Sequence, residues 1–274
     1  MRLIFSESNP DYANYNFPYA VWAIPDSSEE IADLYERGFL PSNKPRFCMA
    51  RSTRIVLSRF KSTYSTRRTL KSGPDIDIKL IAISDFKMTL CIRKLCHQCA
   101  DLRFGKGVID EKRLARIFSS DNATHVMQFT IDRNTVGIVT INKLREIAHY
   151  NFAFYDVSQP KRSFGTFMLT AAIDYFYRHD YNLFYMGTCY SKNFLYKARY
   201  EGFEFFNGFR WSPNVSELKF LIGRPQKPDH LLESSDYLAK FVHGKLDREF
   251  GDAVYHYVKN SVSCVTMKPR LLNE

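Results

Sequence analysis

The side chains best placed to do chemistry fall between Phe152 and Trp211. Phe152 to Asp156 is an aromatic run ending in a carboxylate, a pattern that suits a strand whose last residue emerges at the mouth of a sheet. After a break at Val157 to Pro160, a helical pattern begins at about Arg162 or Ser163, with Phe167, Met168, Ala171, Ala172, Tyr175 and Phe176 at three- and four-residue spacing. Ser163 is a candidate cap for that helix, and Gly165 permits close backbone approach. The unpaired amides of the first turn, Ser163 to Thr166, would then form an anion or oxyanion site. Leu183 to Thr188 reads as a short strand pairing beside the first, and Ser191 to Arg199 as a helix carrying Tyr196 and Lys197. The unit is therefore strand, loop, helix, strand, helix.

The elements that must position this unit are legible in outline. Residues 17 to 24 read as a strand, and Ser27 to Glu30 as a capping-box-like start of a short helix ending at Arg37-Gly38. Thr53 to Leu57 suits a strand flanked by Arg51, Arg54, Arg59 and Lys61. Ser62 to Lys71 reads as a polar start to a basic helix, with Arg67, Arg68 and Lys71 interleaved with hydroxyls and Tyr64. That pattern serves either a solvated basic face or contact with nucleic acid or an acidic substrate. Asp75 to Ser84 reads as a strand, Asp85 to Ala100 and Glu111 to Phe118 as helices, and Gly105-Lys-Gly107 as a connection without Walker spacing. Thr124 to Ile131 and Val136 to Asn142 are strands joined by a four-residue loop, Asp132 to Thr135, and together with Phe152 to Asp156 make an antiparallel meander. Beyond Gly223 the pattern predicts helices at Leu231 to Leu246 and Asp252 to Val258. These elements divide as 1–75, a smaller N-terminal α/β domain, 76–223, the domain carrying the chemistry, and 224–274, a helical extension.

With 45% hydrophobic and 25% charged residues in 274, the composition is that of a globular protein. A formal net charge of +10 points to a polyanionic partner, RNA ahead of an anionic membrane surface, because no long basic amphipathic helix stands out. No apolar run approaches a membrane span or a signal peptide, so the expected compartment is the cytoplasm. The six cysteines show no secreted-framework spacing, and Cys96-His97-Gln98-Cys99 has no second pair that would complete a zinc site. No metal is expected.

The loop Arg162-Ser-Phe-Gly165-Thr-Phe167 within this unit resembles the core of the GCN5-related acyltransferase fold. Phe167 stands where that fold carries a small residue beneath the pyrophosphate of acyl-coenzyme A, and its ring is expected to crowd that group. The pattern is more similar to the C-terminal domain of the arginyl-tRNA and leucyl-tRNA protein transferases: Tyr155-Asp156, Ser163-Phe-Gly-Thr-Phe167, Tyr185-Met-Gly187, Tyr196-Lys-Ala198 and Trp211 follow in the family's order. The Arg- and Lys-rich strand and helix between Arg51 and Lys71 resemble that family's N-terminal domain. Two departures stand out. Val157 replaces the proline usual after the Tyr-Asp pair, and the stretch from Asn14 to Pro25 lacks the cysteine motif of the eukaryotic enzymes.

The resemblance implies an α+β protein with a GCN5-related mixed sheet flanked by helices. It also implies transfer of an aminoacyl group from charged tRNA, as co-substrate and without further cofactor, to the free α-amine of a protein or peptide that begins with an acidic residue. Asp156 would orient or deprotonate the attacking amine, while backbone donors around Ser163, Gly165 and Thr166 would hold the oxyanion. Arg162 and Lys197 would hold the tRNA 3′ end, with Tyr155 or Tyr196 stacking on its terminal adenine. Arg51, Arg54 or Arg59 would pair with the acceptor's carboxylate, and Lys61, Arg67, Arg68 and Lys71 would contact nucleic acid. Two rivals remain open: an acyl-coenzyme A dependent N-acetyltransferase, and a tRNA-binding relative without turnover.

Overall fold

A computed structural model describes residues 1–13, 18–42, 45–73, 75–158, 163–224 and 231–242. In chain order these fold as β1 (Arg2–Glu7), β2 (Tyr19–Ile24), α1 (Glu30–Glu36), β3 (Phe39–Pro41), β4 (Phe47–Met49), β5 (Ser52–Val56) and α2 (Tyr64–Lys71). There follow β6 (Asp77–Ala82), α3 (Leu90–Phe104), α4 (Glu111–Ile117), β7 (His125–Ile131), β8 (Asn134–Leu144), β9 (Ile147–Tyr155) and α5 (Phe164–Arg178). The chain continues through β10 (Leu183–Thr188), a 3₁₀ helix (Lys192–Arg199), β11 (Phe203–Phe206), β12 (Trp211–Ser212), α6 (Val215–Gly223) and α7 (Ser235–Phe241).

The fold is α+β and centres on an eight-stranded mixed sheet in the order β12-β11-β5-β10-β9-β8-β7-β6. The β9–β10 pair is parallel, whereas its neighbouring pairs run antiparallel. Because side chains alternate across a strand, adjacent residues of β8 report the two faces. A side-chain carbon on Gly137 would collide with Met168 and Phe164, so α5 packs directly on that face. Ile138, with Val126 and Phe154, faces a core of Ile92, Cys96, Cys99, Leu114 and Ile117 from α3 and α4. Farther along the same face, Leu34 and Tyr35 of α1 pack with Phe47, Ile147 and Tyr185, which seats the small sheet β1-β2-β4-β3 on the large one. The basic helix α2 packs against α5.

The N-terminal third is interleaved with the rest. β5 lies between β10 and β11, with Ile55 opposite both Phe184 and Phe203. Met1–Pro10 and Phe17–Ile222 accordingly form one compact unit, and no division falls at residue 75. Among the described residues, 11–13, 223–224 and 231–242 belong to a second unit, in which Ser234 caps α7 by accepting from the Tyr237 amide. The remainder of the helices expected after Leu231, residues 243–258, lies outside the described residues.

Several local expectations are corrected. The β7–β8 hairpin turns in two residues, since Ile131 already pairs with Asn134 and both Asp132 and Arg133 adopt positive φ, the twist-matched geometry for a tight hairpin. The helix expected from Asp85 begins only at Leu90, where the Thr89 hydroxyl accepts from the Ile92 amide. The segment carrying Tyr196 and Lys197 is a 3₁₀ helix.

Candidate active site

The parallel pair at the centre of the sheet comes apart. β9 and β10 are in register only from Ile147↔Leu183 to His149↔Tyr185. Beyond that, β10 is irregular between Tyr185 and Thr188, with Gly187 at φ 75°, and β9 bulges where it passes β8. A cleft of about 820 Å³ occupies the gap. It is lined by the diverging ends of both strands, the first turn of α5, the last turn of α3, and the 3₁₀ helix that follows β10.

Seven of the residues singled out from sequence meet in this cleft: Tyr155, Asp156, Ser163, Gly165, Thr166, Tyr196 and Lys197. Asp156 directly follows β9, and one of its carboxylate oxygens accepts from the Ser158 amide at 2.9 Å and the Ser158 hydroxyl at 2.7 Å. That turn fixes the direction of the carboxylate. Ser163 precedes α5 without a capping bond from its side chain, contrary to expectation; its ψ of 64° departs from the extended backbone usual at a capping residue. Its carbonyl accepts from Phe167 N, leaving the earlier amides of the turn without helical partners. The turn lines the cleft.

The expected role of Phe167 is not met. Its ring is 4% exposed, stacked on Phe164 and edge-on to Phe129, so it belongs to the core beneath α5. Helix periodicity turns that position inward. The aromatic group that crowds the helix start is Tyr155, whose ring carbon would lie 3.0 Å from a side-chain carbon on Gly165. A glycine there allows the ring to lie against the helix backbone.

Lys197 is 7% exposed and donates to the carbonyls of Met186 at 2.6 Å and Thr188 at 2.8 Å. Both carbonyls lie on the side of β10 that β9 has left, so the ammonium takes the place of the missing strand. Burial pushes Lys197 down to about 8; Cys189 opposes the shift and Arg103 adds to it. His149 also lines the cleft, with Nδ1 hydrogen-bonded to the buried Tyr35 hydroxyl at 3.1 Å, and burial, helped by Lys197, drives it down to about 3. It is neutral across the physiological range.

Arg103 is a cleft residue that sequence reasoning missed. It projects from the last turn of α3, 5.5 Å from the Tyr155 ring centre. Nothing in its flanking Leu102 and Phe104 distinguishes it from a surface arginine. His149 was equally silent, a lone histidine in a strand pattern.

The arginines expected to hold a carboxylate are placed elsewhere. Arg54 pairs with Glu204 at 2.7 Å and lies 3.9 Å over the Trp211 ring, and Arg59 pairs with the same carboxylate. Arg51 lies over the Tyr190 ring. None of the three lines the cleft. Lys61, Arg67, Arg68 and Lys71 are exposed on and beside α2. Arg162 lies outside the described residues. Cys96 and Cys99 are core residues, and among the described residues no group of three or more His, Cys, Asp or Glu side chains could hold a metal ion. No described helix is long and apolar enough to cross a membrane.

The first turn of α5, a fixed carboxylate and a buried amine thus line one gap in the sheet. Residues 82–207 match the family described as arginine-tRNA-protein transferase, C terminus. An aspartate/glutamate leucyltransferase from Ruegeria sp. (strain TM1040) is 28% identical over 174 residues, 61% of this chain and 62% of the relative's own length. Among solved structures, L-PGS from Bacillus licheniformis aligns at 13% identity and a TM-score of 0.39 over 58% of this chain and 49% of its own. The GCN5-related glucosamine N-acetyltransferase region of a fungal multi-domain β-N-acetylglucosaminidase aligns at 9% and 0.39 over 67% and 22%.

Proposed function

We propose that this protein transfers an aminoacyl group from charged tRNA to the α-amine of a protein or peptide N-terminus. The observation that carries the proposal is the cleft at the β9–β10 gap, which gathers Asp156, the first turn of α5 and Lys197 within the family-matched segment. An aminoacyl ester is already activated, and an N-terminal amine titrates near 8, so the site has little to do beyond aligning the two and moving protons. Asp156 orients and deprotonates the amine, while amides from Ser163 to Thr166 take the charge on the tetrahedral oxygen. Tyr155 and Tyr196 offer ring faces to the terminal adenine, and α2 with Lys61 supplies a basic surface for the tRNA backbone.

The name of the Ruegeria relative supports leucine as the transferred residue and aspartate or glutamate as the acceptor, with arginine the alternative cargo. Since Glu204 engages Arg54 and Arg59, the cation proposed for the acceptor's carboxylate is Arg103, which lines the cleft. The cytoplasm, where charged tRNA is made, is the proposed compartment.

The protein is incubated with a pool of charged, labelled tRNAs and a peptide library, and products are weighed. A leucyl or arginyl increment on peptides with acidic first residues is expected. No increment from any charged tRNA, or an acetyl increment from acetyl-coenzyme A alone, overturns the proposal.

A further inference from the structure

The two carbonyls that hold Lys197 leave one position of its nitrogen unassigned. An ammonium has three N–H bonds, and Met186 and Thr188 take two of them. If the nitrogen becomes neutral, the same two hydrogens stay on the same carbonyls and the lone pair occupies the third direction. Lys197 can thus give up and regain a proton without turning, and it lines the cleft. The groups around it are Arg103 from α3, His149 from β9, Cys189 just after β10, and the Phe194 ring at 5.2 Å. Among the described residues no carboxylate forms an ion pair with it, so its charge is held by the two carbonyl dipoles and remains available to a group in the cleft.

We infer that Lys197 is the general acid that protonates the ribose oxygen of the tRNA 3′ end as the aminoacyl ester breaks. This rests on the aminoacyl transfer proposed above. The acceptor nitrogen attacks the ester carbon, forming the C–N bond and pushing the carbonyl pair onto oxygen, where the α5 amides hold it. As that pair returns, the bond from carbon to the ribose oxygen breaks and its electron pair goes to that oxygen, which takes a proton from Lys197 Nζ. The proton shed by the attacking nitrogen passes to Asp156 and then to water, and Lys197 is recharged from water. The products are a peptide bond and a free tRNA hydroxyl, with atoms and charge conserved.

A shift of Lys197 to about 8 suits the task, since an acid near the working pH transfers its proton with the least loss. The test uses the full chain and one amino acid carried on tRNAs ending in 2′-deoxyadenosine or 2′-deoxy-2′-fluoroadenosine; fluorine makes the 3′-oxygen a better leaving group, which needs less help from an acid. For the unmodified protein, kcat/KM on the deoxy carrier should fall above about pH 8, and the fall should be weaker on the fluoro carrier. Lys197→Met should slow the deoxy carrier by about 100-fold or more and the fluoro carrier by distinctly less. Equal losses on both carriers would make Lys197 a strut of the cleft and overturn the inference alone. Should Lys197→Met fail to fold, the pH profiles of the unmodified protein decide: identical alkaline limbs on both carriers overturn the inference. No transfer from any charged tRNA, including natural ones, overturns both the inference and the function beneath it.

Discussion

Two cations largely shielded from solvent, Arg54 on β5 and Lys197 on the 3₁₀ helix after β10, are handled in opposite ways. Arg54, on β5, meets Glu204 and the Trp211 ring, and Arg59 converges on the same carboxylate. Lys197, beside β10, donates to two carbonyl oxygens and lies against the Phe194 ring. The first arrangement sets the cations against a carboxylate and ties β5 to β11 across the ladder. The second keeps charge at the floor of a cleft, at the cost of desolvation that shows as the lowered Lys197 pKa. The cation paired with a carboxylate braces the sheet, and the one held by carbonyls lines the cleft.

The sharpest way to break this contrast is on the rate. Asp156→Asn should reduce transfer by about 10²–10⁴-fold while leaving aminoacyl-tRNA binding intact, measured by single-turnover kinetics beside filter binding. Glu204→Gln should show the reverse signature. It strands Arg54, whose side chain is 13% exposed, and should cost about 3–5 kcal/mol in denaturant unfolding, while the protein that remains folded still transfers. A large rate loss without a stability loss would move Glu204 from the framework into the site.

A smaller effect separates the cleft by pH. His149 titrates at about 3 when folded against an ordinary value near 6.5, so between these the unfolded chain binds the extra proton. Its stability contribution is complete above pH 6.5 and is lost as pH falls toward 3, with a slope of at most about 1.4 kcal/mol per pH unit. Urea midpoints from pH 7 down to 4 should show that fall, and His149→Gln should flatten it. The smallest expected change is at α2, where Arg68→Gln or Lys71→Gln should each reduce the salt slope of tRNA binding by about one counterion. An unchanged slope would make α2 an ordinary solvated face.

The sequence was most informative where structure is local. The spacing from Phe164 to His179 yielded α5, and the meander of β7, β8 and β9 followed from alternation and turns. Motif order located the cleft, because Asp156, Gly165 and Lys197 converge there. What escaped was direction and distance. Phe167 was assigned to the cleft from its place in a loop motif, whereas helix periodicity turns it into the core. Arg51, Arg54 and Arg59 looked like a cationic cluster because Glu204, which engages two of them, is far away in the chain. The gap between β9 and β10 depends on the positive φ of Gly187 and on pairing lost over a few residues, neither of which alternation patterns report.

The position of β5 bears on how the chain comes to be made. Its partners, Leu183 to Thr188 and Phe203 to Phe205, emerge from the ribosome long after Ser52 to Val56 has left it. Until then the strand has both edges unpaired, and such distant pairing slows folding and leaves the nascent chain prone to aggregation. A fragment trimmed to residues 76–223 would lack a central strand of its sheet, so expressing it alone should give insoluble protein that supplying residues 1–75 as a separate chain can rescue.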